Sequence, residues 1–112
     1  MTVQRLTPLH PGEVLFEEFM RPMGISQNQL GRDLGVSPRR INEIIHGKRG
    51  ISADSALRLS AYFGVSARFW MGLQSDYDLE TAEDKISKKI AYEVKLSTLV
   101  KDVEPERLRS EA

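Results

Sequence analysis

Residues 37–49 of the 112-residue chain hold five side chains rich in hydrogen-bond donors: Arg39, Arg40, Asn42, Lys48 and Arg49. A guanidinium is a planar fork that grips a guanine edge or a phosphate bidentately, and an asparagine amide does the same for adenine. A lysine ammonium neutralises a phosphate as a point charge, which positions a protein without specifying sequence. Where the two arginines stand is unusual. Ser37-Pro38 reads as a helix start, with serine as N-cap and proline at the first position, where no N–H is needed. Cations are disfavoured in that first turn because it carries the positive end of the helix dipole. A local rule broken without local compensation points to function. A nucleic-acid backbone would supply the missing negative charge, and the free N–H groups of the helix end would add to the attraction. Arg39, Arg40 and Asn42 are therefore expected to form a base-reading tip, with Arg40 on its flank. Lys48 and Arg49 are expected to contact phosphates.

Two short helices are needed to present such a tip. "ISQNQLGRDLG" opens on Ser26 with Gln29 three residues later, a capping-box pattern, and places Leu30 and Leu34 on one face before Gly35. "PRRINEIIHG" follows, with Ile41, Ile44 and Ile45 as a buried stripe and Gly47 as its end. Two helices joined by about three residues including glycine have the spacing of a helix-turn-helix, whose second helix enters the major groove. In that second helix Glu43 reads as an exposed residue or salt-bridge partner, and His46 as a residue favoured by the dipole at the helix C-terminus.

Three further helices are expected around the pair. A first helix spans 11–21, with Leu15 and Phe19 four apart and Pro22 just past its end. A fourth runs from Ser52 to Gly64 with Leu59 and Phe63 inward, and a fifth starts after Ser66 with "ARFWMGLQ". Residues 76–94 look like an additional C-terminal helix, with Ile86, Ile90 and Val94 spaced by four and Asp84–Lys88 in the favourable order. Leu73, Tyr77, Ile86 and Ile90 are the first guess for a two-fold contact. Leu96, Leu99, Val100 and Val103 fit a short helix or a strand, and the chain after Pro105 looks frayed. Phe69, Trp70 and Met71 read as core or interface at helical spacing rather than as a cofactor pocket. His10 and Glu13 in "HPGE" read as a helix start rather than a metal or catalytic pair.

Composition narrows the function. Net charge is zero, but its distribution is not even. Residues 25–50 carry +3, between −1 for residues 1–24 and −3 for residues 74–112. A local basic patch governs binding to a polyanion more than the total does. With no cysteine there is no disulfide framework, thiolate metal site or Cys nucleophile. No apolar run reaches the roughly 18 residues that suggest a membrane helix, and the N-terminus lacks a signal-peptide h-region. No H-E-x-x-H, G-x-S-x-G or P-loop occurs. The expectation is a cytoplasmic, non-enzymatic protein without cofactor, metal or membrane.

The ordered series "HPGE", "GISQ", "LGVS", "IHGKRGISADSALRL" and "FWMGLQSDYDL" resembles the HigA-type antitoxins, also known as virulence-associated protein I. These lie within the xenobiotic-response-element (XRE) family of repressor-like helix-turn-helix proteins. The resemblance covers residues 10–79 and implies an all-α fold, a five-helix repressor-like helix-turn-helix domain with an additional C-terminal helix or tail. On this basis residues 1–79 form the DNA-binding domain, with its motif at 26–47. Residues 80–112 form a C-terminal helix and tail available for a dimer or partner contact. The resemblance also implies a homodimer that binds operator DNA of its own promoter and neutralises a HigB-type ribonuclease toxin. The alternative is a stand-alone XRE-type regulator without a toxin. Residue by residue, it assigns Gln27 to the DNA backbone and Ser37, Pro38 and the residues through Asn42 to the opening of the recognition helix.

Overall fold

The structure, a computed structural model, describes residues 7–97. All regular elements among them are helical. In order they are α1 (Pro11–Val14), a π-helical stretch (Leu15–Met20), α2 (Arg21–Met23), α3 (Gln27–Leu34), α4 (Pro38–Ile45), α5 (Ala53–Phe63) and α6 (Ala67–Glu93). The expected C-terminal features at Leu99, Val100, Val103 and beyond Pro105 lie outside the described residues.

Two boundaries differ from the sequence expectation. The first helix does not stop before Pro22; it continues through it to Met23 and ends at Gly24 in the left-handed conformation. A proline inside an α-helix removes a donor and drives its ring toward the carbonyl four residues back. Here the turn before it is widened, and the Arg21 N–H donates to the Phe16 carbonyl five residues back. The widening also changes the phase of the buried face. Leu15 and Met20, five apart, are both fully buried, whereas Phe19 is only half-buried. The second difference lies between Gln74 and Asp76, where a fifth helix was expected to give way to a C-terminal one. The two are one helix, α6, which runs unbroken through Ser75.

The chain divides by contacts into a unit that ends at Thr81 and a second that begins at Ala82. The first is built on a core of Leu15, Met20, Leu30, Leu34, Ile41, Ile44, Ile51, Ala56, Leu59 and Trp70. Trp70 is wholly buried in an aromatic group with Phe19, Phe63 and Phe69, so of "FWMGLQ" Trp70 belongs to the core, Leu73 packs against it, and Phe69 and Met71 stay exposed. Gln74 of α6 accepts the Ile51 N–H at 2.6 Å and fixes the segment that follows α4. In the second unit the described residues 82–93 are the exposed end of α6, with Ile86 and Ile90 both accessible.

"HPGE" turns out to hold α4 in place. The Nδ1 atom of His10 accepts the Gly12 N–H at 2.9 Å, which makes histidine the N-cap of α1. Pro11 takes the first position, as its missing donor allows. A Cβ on Gly12 would fall 1.8 Å from the carbonyl oxygen of Ile44, so only glycine lets α1 meet the last turn of α4. His10 is buried and packs edge-on against Tyr77 at 4.7 Å, which occupies Tyr77 within this unit. Leu73 likewise packs on the core, so of the four residues expected at a two-fold contact only Ile86 and Ile90 are exposed.

Burial holds the His10 pKa below its ordinary 6.5, while Glu13 and Asp78 oppose the shift. The cap also requires neutral imidazole, because a protonated Nδ1 cannot accept. The unfolded chain therefore takes up this proton first as pH falls. The His10 contribution should be complete above about pH 6.5 and lost as pH drops from there through the folded value. Urea midpoints between pH 8 and 5 should show this loss, and His10→Asn, which caps without titrating, should flatten it. Gly12→Ala should cost about 1–3 kcal/mol of unfolding free energy or more in the same assay, the range for overpacking a close-packed site.

Candidate nucleic-acid interface

α3 and α4 meet across the turn Gly35-Val36-Ser37. Ser26 caps α3 by accepting the Gln29 N–H at 3.0 Å, and Ser37 caps α4 by accepting the Arg40 N–H at 3.1 Å. Gly35 closes α3 at φ 76°, a left-handed conformation that glycine adopts without steric cost. Ile41 and Ile44 bury one face of α4 almost completely, which commits the opposite face to solvent.

That exposed face collects most of the expected residues. Ser37 and Pro38 are exposed at the helix start, and the Arg39 side chain is 87% accessible. Gln27, at the first position of α3, accepts a hydrogen bond from Asn42 Nδ2 at 3.0 Å, so the two amides form one surface across the two helices. Lys48 and Arg49 follow α4 in an exposed turn, where both their N–H groups donate to the Glu43 carbonyl. Lys48 has no ion-pair partner among the described residues.

Arg40 departs from the expected tip. Its side chain is only 25% accessible and turns back onto α5. There Nη2 donates to Asp54 Oδ1 at 2.8 Å and to Ser55 Oγ at 2.6 Å. A guanidinium in the first turn of α4 finds a carboxylate in the first turn of α5, so the dipole conflict is compensated by tertiary structure. Arg39 has its own compensation from Glu43 Oε2 at 3.3 Å, one turn on. The other Glu43 oxygen accepts from Arg49 Nη2 at 2.8 Å and Nε at 2.9 Å. Glu43 is thus the salt-bridge partner the sequence allowed for, with two guanidiniums instead of one. His46 faces back along its helix, its Nδ1 2.9 Å from the Asn42 carbonyl.

Sequence reasoning missed Asp54, Ser55 and Arg58. Asp54 and Arg58 stand four apart in the favourable acid-to-base order, which was a readable signal for their own pairing. Nothing local shows that Arg40, fourteen residues earlier, shares that carboxylate. The described residues contain no group of three or more His, Cys, Asp or Glu able to hold a metal ion, and His10 is engaged as a cap.

Hydrogen bonds from Arg49 first, aided by Arg39, hold the Glu43 carboxyl below its ordinary value of 4.5. Carboxyl-detected NMR should find Glu43 titrating below 4.5. Arg49→Ala should move that midpoint back up further than Arg39→Ala does.

The helix-turn-helix family profile matches residues 16–70. The chain is 52% identical over 97 residues to virulence-associated protein I of Dichelobacter nodosus, covering 86% of this chain and 88% of that protein. It is 29% identical over 85 residues to antitoxin HigA-1 of Vibrio cholerae, covering 76% and 80% respectively. Among solved structures it superposes on the Pseudomonas aeruginosa antitoxin HigA with the higBA promoter. The TM-score is 0.77 at 49% identity, over 79% of this chain and 96% of that one.

Proposed function

Since this chain belongs to the HigA-type, virulence-associated protein I family of helix-turn-helix proteins, we propose that it is an antitoxin that represses its own promoter as a homodimer. It is not an enzyme. In this reading it also neutralises a HigB-type ribonuclease toxin in the cytoplasm. The observation that carries the DNA half is the solvent face of α4, where Arg39 and Asn42 project beside Lys48 and Arg49 while the isoleucines hold the helix to the core.

Each residue has a role that follows from its chemistry. Arg39, accessible at the tip, reads a guanine edge, and Asn42 reads adenine once the Gln27 amide has oriented it. Gln27 itself contacts the backbone. Ser37 and Pro38 shape the helix end that faces the phosphates. Lys48 and Arg49 neutralise phosphates, with Glu43 holding the arginine until they are reached. One helix reads few bases, whereas two related by a dyad reach half-sites about 34–36 Å apart. The accessible Ile86 and Ile90 offer apolar surface for that dyad. The described residues contain no helix long and apolar enough to cross a membrane.

A mobility shift on the DNA upstream of the gene, run across a salt series, tests the DNA half. Lys48→Ala should weaken binding about uniformly and reduce the salt slope by about one. Arg39→Ala should cost about 1–3 kcal/mol and relax specificity at one base pair. Co-expression with the neighbouring gene product, followed by pull-down, tests the toxin half. Capture supports the antitoxin reading; operator binding without capture leaves a stand-alone regulator.

A further inference from the structure

The turn of the helix-turn-helix is spanned on its α5 side by a chain of charged hydrogen bonds. Asp54 Oδ1 accepts from Arg40 Nη2 and from Arg58 Nε, each at 2.8 Å. Arg58 Nη1 then donates to the Leu34 carbonyl at 2.8 Å. That carbonyl belongs to the last turn of α3, where the helix has no donor of its own to offer. On the other side Ser55 Oγ, in a buried residue, accepts from the same Arg40 nitrogen at 2.6 Å. One carboxylate oxygen therefore links the end of α3 to the start of α4 through two guanidiniums, and α5 carries the link. At this corner Gly35 brings no side chain and Val36 is only half-buried, so the charged chain adds to the packing there.

We infer that Arg40, Asp54 and Arg58 form a brace that sets the angle at which α4 is presented, so that Arg40 positions the recognition helix and reads neither base nor phosphate. The inference rests on the DNA-binding reading above and replaces the base-reading role that the sequence suggested for Arg40. It also makes a counter-intuitive demand of Asp54. By electrostatics alone, removing an acid near a polyanion strengthens binding. If Asp54 positions α4, removing it weakens operator binding although the protein becomes more positive.

The test measures affinity for the gene's upstream DNA and for a random duplex of equal length, by fluorescence anisotropy across a salt series. Wild type, Asp54→Asn, Arg40→Met and Lys48→Ala are compared, with thermal melts confirming that each is folded. Asp54→Asn and Arg40→Met should each lose about tenfold or more on the operator, the size expected when a charged hydrogen bond is removed. Their preference for operator over random duplex should fall by a similar factor. The double variant should lose no more than the weaker single, because both break the same link. Arg40→Met should keep the wild-type salt slope, whereas Lys48→Ala lowers it. A loss of fold would not produce that split. Should Arg40→Met melt too early, Arg40→Lys keeps the charge but not the fork, and should lose operator affinity at unchanged slope.

Operator binding by folded Asp54→Asn at or above wild-type strength overturns the brace, as does a slope lowered by one in Arg40→Met. A wild-type chain with no preference for its upstream DNA overturns the DNA-binding reading, and this inference with it.

Discussion

Like charges crowd the start of α4, and much of the surrounding structure answers that crowding. Two consecutive guanidiniums share a turn with the positive end of a helix dipole, and a third follows the helix within ten residues. Left alone they would repel one another and fray the helix. Two carboxylates prevent this in different ways. Glu43, on the helix itself, holds Arg39 and Arg49 in contacts that remain partly open to solvent. Asp54, on the next helix, draws Arg40 out of the crowd. The arginines are thereby sorted: two stay at the surface, and one is absorbed into the scaffold.

The recognition helix is also held at its far end. Gly12 admits the start of α1 to the Ile44 carbonyl, and His10 caps that start while resting on Tyr77 of α6. The middle is held by Ile41 and Ile44 in the core. An eight-residue helix has little stability of its own. Its geometry is set by these three attachments, which come from α1, the core and α5.

The parts legible in the sequence were those with local causes. The caps at Ser26, Ser37, Ser52 and Ser66, the glycine ends and the isoleucine stripe each depend on residues within a few positions, and all are present. The all-α helix-turn-helix fold followed from them. What escaped was tertiary or geometric. The Arg40–Asp54 pair spans fourteen residues, and nothing in "SPRR" tells an arginine facing solvent from one turned inward. Gly12 looked like part of a helix start because its requirement lies in the Ile44 carbonyl, on another helix. Pro22 looked like a stop because sequence rules assume α geometry, and the π turn before it lifts that assumption.

That π turn has a consequence for how the gene tolerates insertions and deletions. A widened turn is one residue of extra phase stored inside a continuous helix. Deleting any residue of Leu15–Met20 could restore a regular α-helix with every later residue in place. The segment before the deletion would keep its place too, because the widened turn had already absorbed the extra residue. Gly12 would stay against the Ile44 carbonyl. A deletion outside that turn has no such slack: it would rotate the preceding segment by about 100°, one residue's share of a turn, and swing Gly12 away from α4. The reading frame of the first helix is thus fixed by a contact on α4, with slack only at its widened turn.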